Sequence, residues 1–123
     1  MKVVIIEDNP EIAEAIVLCL QTFWPKIEYA VSGGGNEGIN LVKTRQPALV
    51  LLDINLPDID GFEVLKSIRA FSAVPVVILT VRATEKDKKR GNELGATDYI
   101  TKPFKARELA DRLRKYLEEK KEK

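Results

Sequence analysis

Leu49-Val50-Leu51-Leu52-Asp53-Ile54-Asn55-Leu56-Pro57-Asp58-Ile59-Asp60-Gly61 decides the fold. An unbroken apolar run ends in one carboxylate. A strand buried on both faces reads this way, as in a parallel sheet covered by helices. Pro57 and Gly61 then shape a loop, and Asp60 with Glu63 resembles a capping box opening a helix through Ile68. Asp53 is thereby delivered to the carboxyl end of a strand, where open α/β sheets bind their ligands.

The pattern repeats on either side. Lys2–Ile6 reads as a buried strand running into Glu7-Asp8, and Pro75–Thr80 as another ending in a hydroxyl. Ile27–Val31 alternates, as a half-exposed edge strand does. Thr97–Thr101 is a short last strand that reaches Lys102-Pro103. Between them lie helices. Asn9-Pro10 starts the first, whose apolar face is read as Ile12, Ala15, Ile16, Cys19 and Phe23, with Trp24-Pro25 as its stop. Cys19 on that face is a small core residue. The glycines of Gly33–Gly38 read as a flexible turn before a short helix through about Lys43, with Ile39 and Val42 inward. The third helix turns Phe62, Val64, Leu65 and Ile68 inward. Thr84 caps a charged fourth helix that Gly95 stops. Phe104 leads into a fifth, with Leu109, Leu113, Tyr116 and Leu117 on one face.

Five strands alternating with five helices predict a flavodoxin-like doubly wound (βα)5 fold of the α/β class. The parallel sheet has strand order 2-1-3-4-5, with helices on both faces. One domain spans 1–120, with a charged tail at 121–123. Composition narrows the chemistry. The chain has 123 residues, 20 basic against 19 acidic, and a net charge of +1, which gives no general reason to bind nucleic acid or an anionic membrane. No apolar run approaches the roughly 20 residues that cross a bilayer. A single cysteine excludes an internal disulfide and a cysteine-based zinc site, and suggests the cytoplasm. The absence of histidine removes Ser-His and Cys-His nucleophiles, His metal ligands and a phosphohistidine carrier role. What remains is carboxylates, hydroxyls, lysine and metal.

The strand ends bring Glu7, Asp8, Asp53, Thr80 and Lys102 to one sheet edge around the switch point. Converging carboxylates form a hard oxygen site suited to Mg²⁺ or Mn²⁺. Without a cation they repel one another and raise at least one pKa. Lys102 adds a point charge and Thr80 a hydroxyl. Singly, each of these residues is as well explained as a cap, a turn or a surface charge. Together they point to Asp53 as an acceptor of a phosphoryl group.

The matching pieces are Glu7-Asp8, Asp53 with Pro57 and Gly61, Thr80, Leu94-Gly95-Ala96 with Asp98-Tyr99-Ile100, and Lys102-Pro103-Phe104. In this order and spacing the chain resembles, over essentially its whole length, a CheY-like response-regulator receiver domain of two-component signalling. The resemblance implies that a sensor histidine kinase, or a small donor such as acetyl phosphate, phosphorylates Asp53. It implies Mg²⁺ held by Asp8, Asp53 and the Asn55 backbone carbonyl, with Glu7 assisting. Lys102 then pairs with Asp53 and the phosphoryl oxygens, Thr80 binds the phosphoryl group, Tyr99 is a coupled rotamer switch, and the Lys102–Pro103 peptide is cis. The domain is thus a phosphoacceptor rather than a turnover enzyme. Val81 is bulkier than the residue usual after the threonine and is expected to narrow access to Asp53. Asn55 and Arg82 flank the site and tune hydrolysis.

OmpR/PhoB-like regulators pair two receivers through the fourth helix, fifth strand and fifth helix, to regulate transcription through an effector that is fused or separate. Here Lys88 with Glu108, and Asp98 with Arg112, are candidate cross-subunit pairs. Within-chain pairs such as Glu108–Arg112 are the alternative. The basic run Lys86–Arg90 is interrupted by acid and reads as a solvated helix face rather than a nucleic-acid patch.

Three rivals differ in class. Gly33-Gly34-Gly35-Asn36-Glu37-Gly38 fits the G-x-G-x-x-G of a nucleotide-binding module, with an acid at Asp53 about 20 residues on. That loop follows an edge strand and leaves Glu7-Asp8 and Lys102-Pro103 without a role. A Mg²⁺-dependent aspartyl phosphatase wants a second acid where Asn55 stands. A receiver-like fold that binds partners without phosphorylation does not need the complete set of acids, Thr80 and Lys102.

Overall fold

The computed structural model describes residues 1–118; the expected tail at 121–123 lies outside the described residues. The elements run β1 (Lys2–Ile6), α1 (Pro10–Phe23), β2 (Glu28–Ser32), α2 (Gly35–Arg45), β3 (Leu49–Leu52), α3 (Gly61–Arg69), β4 (Val76–Thr80), α4 (Glu85–Glu93), β5 (Asp98–Thr101) and α5 (Ala106–Leu117). The sheet is parallel throughout, in the order β2-β1-β3-β4-β5, as the sequence predicts.

Successive strand residues point to opposite faces, so the continuous apolar runs feed two cores. Val3, Ile5, Leu49, Leu51, Val77 and Leu79 pack with α1 and α5. Val4, Ile6, Val50, Leu52, Val76 and Ile78 pack with α2 and α3. All of β1 after Lys2, and all of β3 and β4, are buried. Each such aliphatic side chain contributes roughly 1.5–3 kcal/mol, which fixes these strands and hence what stands at their ends. The edge strand β2 instead leaves Tyr29 and Val31 exposed.

Two expectations need correction. The face α1 buries is Ala13, Ile16, Cys19 and Leu20, with Ile12 and Phe23 packed at its margin. Ala15 is exposed; the helix is rotated so that 13, 16 and 20 line its centre. Of the glycines after β2, only Gly33 and Gly34 form the turn. Gly35 and Gly38 lie inside α2, because α2 rides close to its neighbours. A Cβ on Gly38 would stand 2.5 Å from Ile6 Cδ1, and one on Gly35 2.7 Å from Ile59 and Val64.

At the amino ends of the strands, the single tryptophan, Trp24, follows α1. With Met1, Phe23, Pro25, Ile27 and Leu117 it lines an apolar cavity of about 370 Å³. The Arg114 guanidinium lies over its ring at 5.9 Å.

Candidate functional site

Sheet register places the acids. The Glu7 N–H donates to Ser32 O at 2.9 Å, and the Asp53 N–H donates to Ile6 O at 2.9 Å. Pairing thus runs one residue past β1 and β3 and carries Glu7 and Asp53 inward, where both are buried. Asp8 is exposed. It is not the helix cap, because Asn9 fills that role, its Oδ1 accepting from the Glu11 N–H at 2.9 Å and the Ile12 N–H at 3.2 Å. Carboxylate oxygens of Glu7, Asp8 and Asp53 all lie within 4.8 Å of one another.

Lys102 enters from the end of β5, where its N–H donates to Thr80 O at 2.9 Å. Its ammonium donates to Glu7 Oε1 at 2.6 Å and to Asp53 Oδ2 at 3.1 Å, with the three side chains 8%, 2% and 8% exposed. Sequence reasoning joined Lys102 to Asp53; the shorter contact, to Glu7, shows only once Glu7 is known to continue the strand inward. The following Lys102–Pro103 peptide is cis. Burial pushes the Glu7 carboxyl up; the Lys102 hydrogen bond opposes this and the nearby Asp53 charge adds to it. Three carboxylates against one ammonium leave a formal charge of −2. A divalent cation balances that charge, and the donor set is all oxygen. The residues therefore fit Mg²⁺ or Mn²⁺ by charge and by hardness.

The mouth is a cleft of about 440 Å³ whose lining includes Asp8, Asn55, Pro57, Asp60 and Arg82. The Asn55 N–H donates to Asp53 Oδ1 at 3.1 Å, so the loop after β3 closes on the carboxylate it follows. Gly61 is required by close approach, since a Cβ there would stand 2.4 Å from Ile54 Cα and 2.7 Å from Asp53 O. Thr80 is fully buried at the end of β4, and its Oγ1 accepts from the Arg82 N–H at 3.3 Å. The Tyr99 hydroxyl donates to Arg82 O at 2.6 Å. Val81 stands 63% exposed. Arg82, the next residue, is among those that line the cleft.

The Gly33–Gly38 segment cannot cradle a phosphate as the nucleotide reading requires. The amino end of α2 is already taken. Asp58, from the loop after β3, accepts from the Gly35 N–H at 2.8 Å and the Asn36 N–H at 3.0 Å. Those bonds hold its carboxyl down at about 2. Nothing in the sequence flags this long-range cap. On the suggested dimer face, Asp98 is engaged within its own chain. Arg112 donates through Nη2 to Oδ1 at 2.6 Å and through Nε to Oδ2 at 3.1 Å. Burial pushes Asp98 up, but the Arg112 and Tyr99 N–H bonds bring it below the usual carboxylate range. Arg112 thus pairs with Asp98 rather than Glu108, which accepts from the Lys105 N–H at 3.4 Å.

Comparison with known proteins agrees with this geometry. A profile of the response regulator receiver domain matches residues 3–114. The DNA-binding response regulator MtrA of Mycolicibacterium smegmatis is 38% identical over 113 residues. The match takes in 92% of this chain and 49% of MtrA, so the chain spans about half the length of that relative. The BeF3-activated receiver domain of Klebsiella pneumoniae RstA superposes with a TM-score of 0.89 at 32% identity, covering 97% of this chain and 100% of that one. The receiver domain of sensor histidine kinase PA1611 from Pseudomonas aeruginosa, with magnesium coordinated in its cleft, gives 0.84 at 27% identity, covering 94% and 95%. No helix of the described residues is long and apolar enough to cross a membrane.

Proposed function

The chain belongs to the response regulator receiver domain family, and on that premise we propose that Asp53 is its phosphoacceptor, with residues 1–120 as the receiver unit. A carboxylate oxygen of Asp53 attacks the phosphorus of a phosphohistidine on a sensor kinase, or of acetyl phosphate. A new P–O bond forms, the P–N bond to imidazole or the P–O bond to acetate breaks, and the imidazole or acetate departs with the bonding pair. Such transfer needs positioning and charge neutralisation more than acid–base work by side chains.

The observation that carries the proposal is the Lys102 ammonium 3.1 Å from Asp53 Oδ2, inside a ring of acids whose oxygens lie within 4.8 Å. Lys102 holds the nucleophile and stays to pair with the transferred oxygens. The Thr80 hydroxyl is the further donor, and Tyr99 follows it as the switch. Asp8, Asp53 and the Asn55 carbonyl, with Glu7 assisting, would hold Mg²⁺, or Mn²⁺ in its place. When bound, the cation neutralises charge on the phosphoryl group. Pro57, Gly61 and Pro103 keep the loops in shape around it.

The output that we propose is control of transcription through a fused or separate effector, in the manner of the DNA-binding relative, in a cytoplasmic setting. The α4–β5–α5 face signals the change. With Asp98 and Arg112 paired within the chain, Lys88 and Glu108 are the groups left for a phosphorylation-dependent dimer. Direct nucleic-acid contact by this domain has no support, since acid interrupts the basic run of α4.

Mass spectrometry after incubation with acetyl phosphate and Mg²⁺ tests the proposal. The expected outcome is a gain of one phosphoryl group that Asp53→Asn abolishes. Undiminished labelling in that variant would move the nucleophile elsewhere.

A further inference from the structure

The loop from Asn55 to Asp60 makes one wall of the cleft over the acids. Its two ends are fastened close to β3. At the start, the Asn55 N–H donates to Asp53 Oδ1 and the Leu56 N–H to Ile54 O, each at 3.1 Å. At the far end, the Gly61 N–H donates to Ile54 O at 2.8 Å, and Asp60 Oδ1 accepts from the Phe62 N–H at 2.8 Å. The middle is fastened elsewhere. Among the described residues, the hydrogen bonds that Pro57, Asp58 and Ile59 make to another element go to α2, through the two oxygens of Asp58.

The start of α2 is a firm seat because the sheet holds it. Ser32, buried at the end of β2, accepts through Oγ from the Gly34 N–H at 3.1 Å and lies 3.0 Å from Glu37 Oε1. Gly38 rides against Ile6 of β1. What rests on this seat explains the glycines that begin it. A Cβ on Gly34 would stand 3.3 Å from Asp58 Oδ2, and one on Gly35 would meet Ile59 at 2.7 Å. Glycine at both positions lets Asp58 and Ile59 come down onto the helix start, where free N–H groups and the positive end of the helix favour a carboxylate.

Resting on the metal site proposed above, we infer that Asp58 is a positioning residue for that site. By fastening the middle of the loop to α2, it holds the Asn55 carbonyl at the rim of the acids, so that an arriving cation is not left to order the loop. The freedom that a slack loop would lose on binding is lost at folding instead. The effect of Asp58 passes through the backbone of Asn55 rather than by contact with the ion.

Amide hydrogen exchange in EDTA, with Mg²⁺ calorimetry beside it, tests the inference. In Asp58→Asn, exchange at Asn55 and Leu56 should quicken about tenfold without any cation, the low end for losing a hydrogen bond to a charged group. The Kd for Mg²⁺ should rise about tenfold, the low end for an outer contact of a metal site. Exchange in β3 and β4 should stay native. Ile59→Ala leaves every charge in place and should shift both readings the same way, by less. Asp60→Asn removes a charge from the same cleft but keeps a helix cap; a loss of Mg²⁺ affinity equal to that of Asp58→Asn would show bulk attraction of the ion and overturn the positioning role. A cap that served α2 alone would quicken exchange over residues 35–38 and leave Asn55, Leu56 and the Mg²⁺ affinity unchanged. That result would overturn the inference and leave the metal site standing. Absence of Mg²⁺ binding by the native chain would overturn both.

Discussion

Replacing Lys102 by methionine removes the ammonium while keeping most of the side-chain volume. It leaves Glu7 and Asp53, 2% and 8% exposed, without the cation that now sits 2.6 and 3.1 Å from them. Stranding a buried charge costs about 3–5 kcal/mol. The lower end applies, because Glu7 can relieve the strain by taking up a proton. At 3 kcal/mol the melting temperature of a domain this size falls by roughly 10–15 °C. The deficit depends on pH with a definite sign. The folded Glu7 carboxyl titrates above its ordinary 4.5, so the folded state binds the extra proton, and stability falls as pH rises from that value through the folded one. Without Lys102 the folded value climbs further and the window widens upward, so the variant loses more at about pH 7.5 than at about pH 5. A divalent cation can stand in for the lost charge. At a hundred times its dissociation constant it returns about 2.7 kcal/mol, so Mg²⁺ should raise the melting temperature more in Lys102→Met than in the native chain. Thermal unfolding followed by circular dichroism, in EDTA and in Mg²⁺ at both pH values, reads all of this. A variant as stable as the native chain in EDTA at both pH values would refute the account of mutually repelling acids held by one ammonium.

Two further perturbations follow from the loop after β3. Gly61→Ala places a Cβ against the backbone of Ile54 and Asp53, which cannot yield as a side chain does; a loss of about 1–3 kcal/mol in urea unfolding is expected, together with weaker Mg²⁺ binding. Asp58 titrates at about 2, so its contribution to stability is present above its ordinary 3.8 and disappears as pH falls from there to about 2; Asp58→Asn should flatten that part of the acid unfolding curve, and an unchanged curve would exclude the cap on α2.

Much of this was legible because the governing signals are local. Apolar runs ending in acid or hydroxyl placed β1, β3 and β4, and a short segment reaching Lys102-Pro103 placed β5, and with them Glu7, Asp53, Thr80 and Lys102. Thr84 accepts from the Asp87 N–H as a cap should, and Gly95, with φ 101°, stops α4 in a left-handed conformation. What the chain concealed depends on partners distant in sequence. Gly35 and Gly38 look like a turn until Ile6, Ile59 and Val64 are seen to press on them. Asp58 looks like one more loop acid until it meets Gly35 and Asn36, 23 and 22 residues away. The rotation of α1 escaped because Ala15 and Ala13 are the same residue type, and only burial in the folded chain separates them.

The position of Trp24 bears on how any of these experiments is observed. The indole lies beyond the last turn of α1, and fourteen residues of helix put about 21 Å between it and the acidic end. Its emission is therefore a gauge of the seam between α1 and α5 and should stay dark to an ion arriving at Asp53. A flat fluorescence titration would be the normal signal of a working protein, and a sloping one would announce that α1 itself had been displaced.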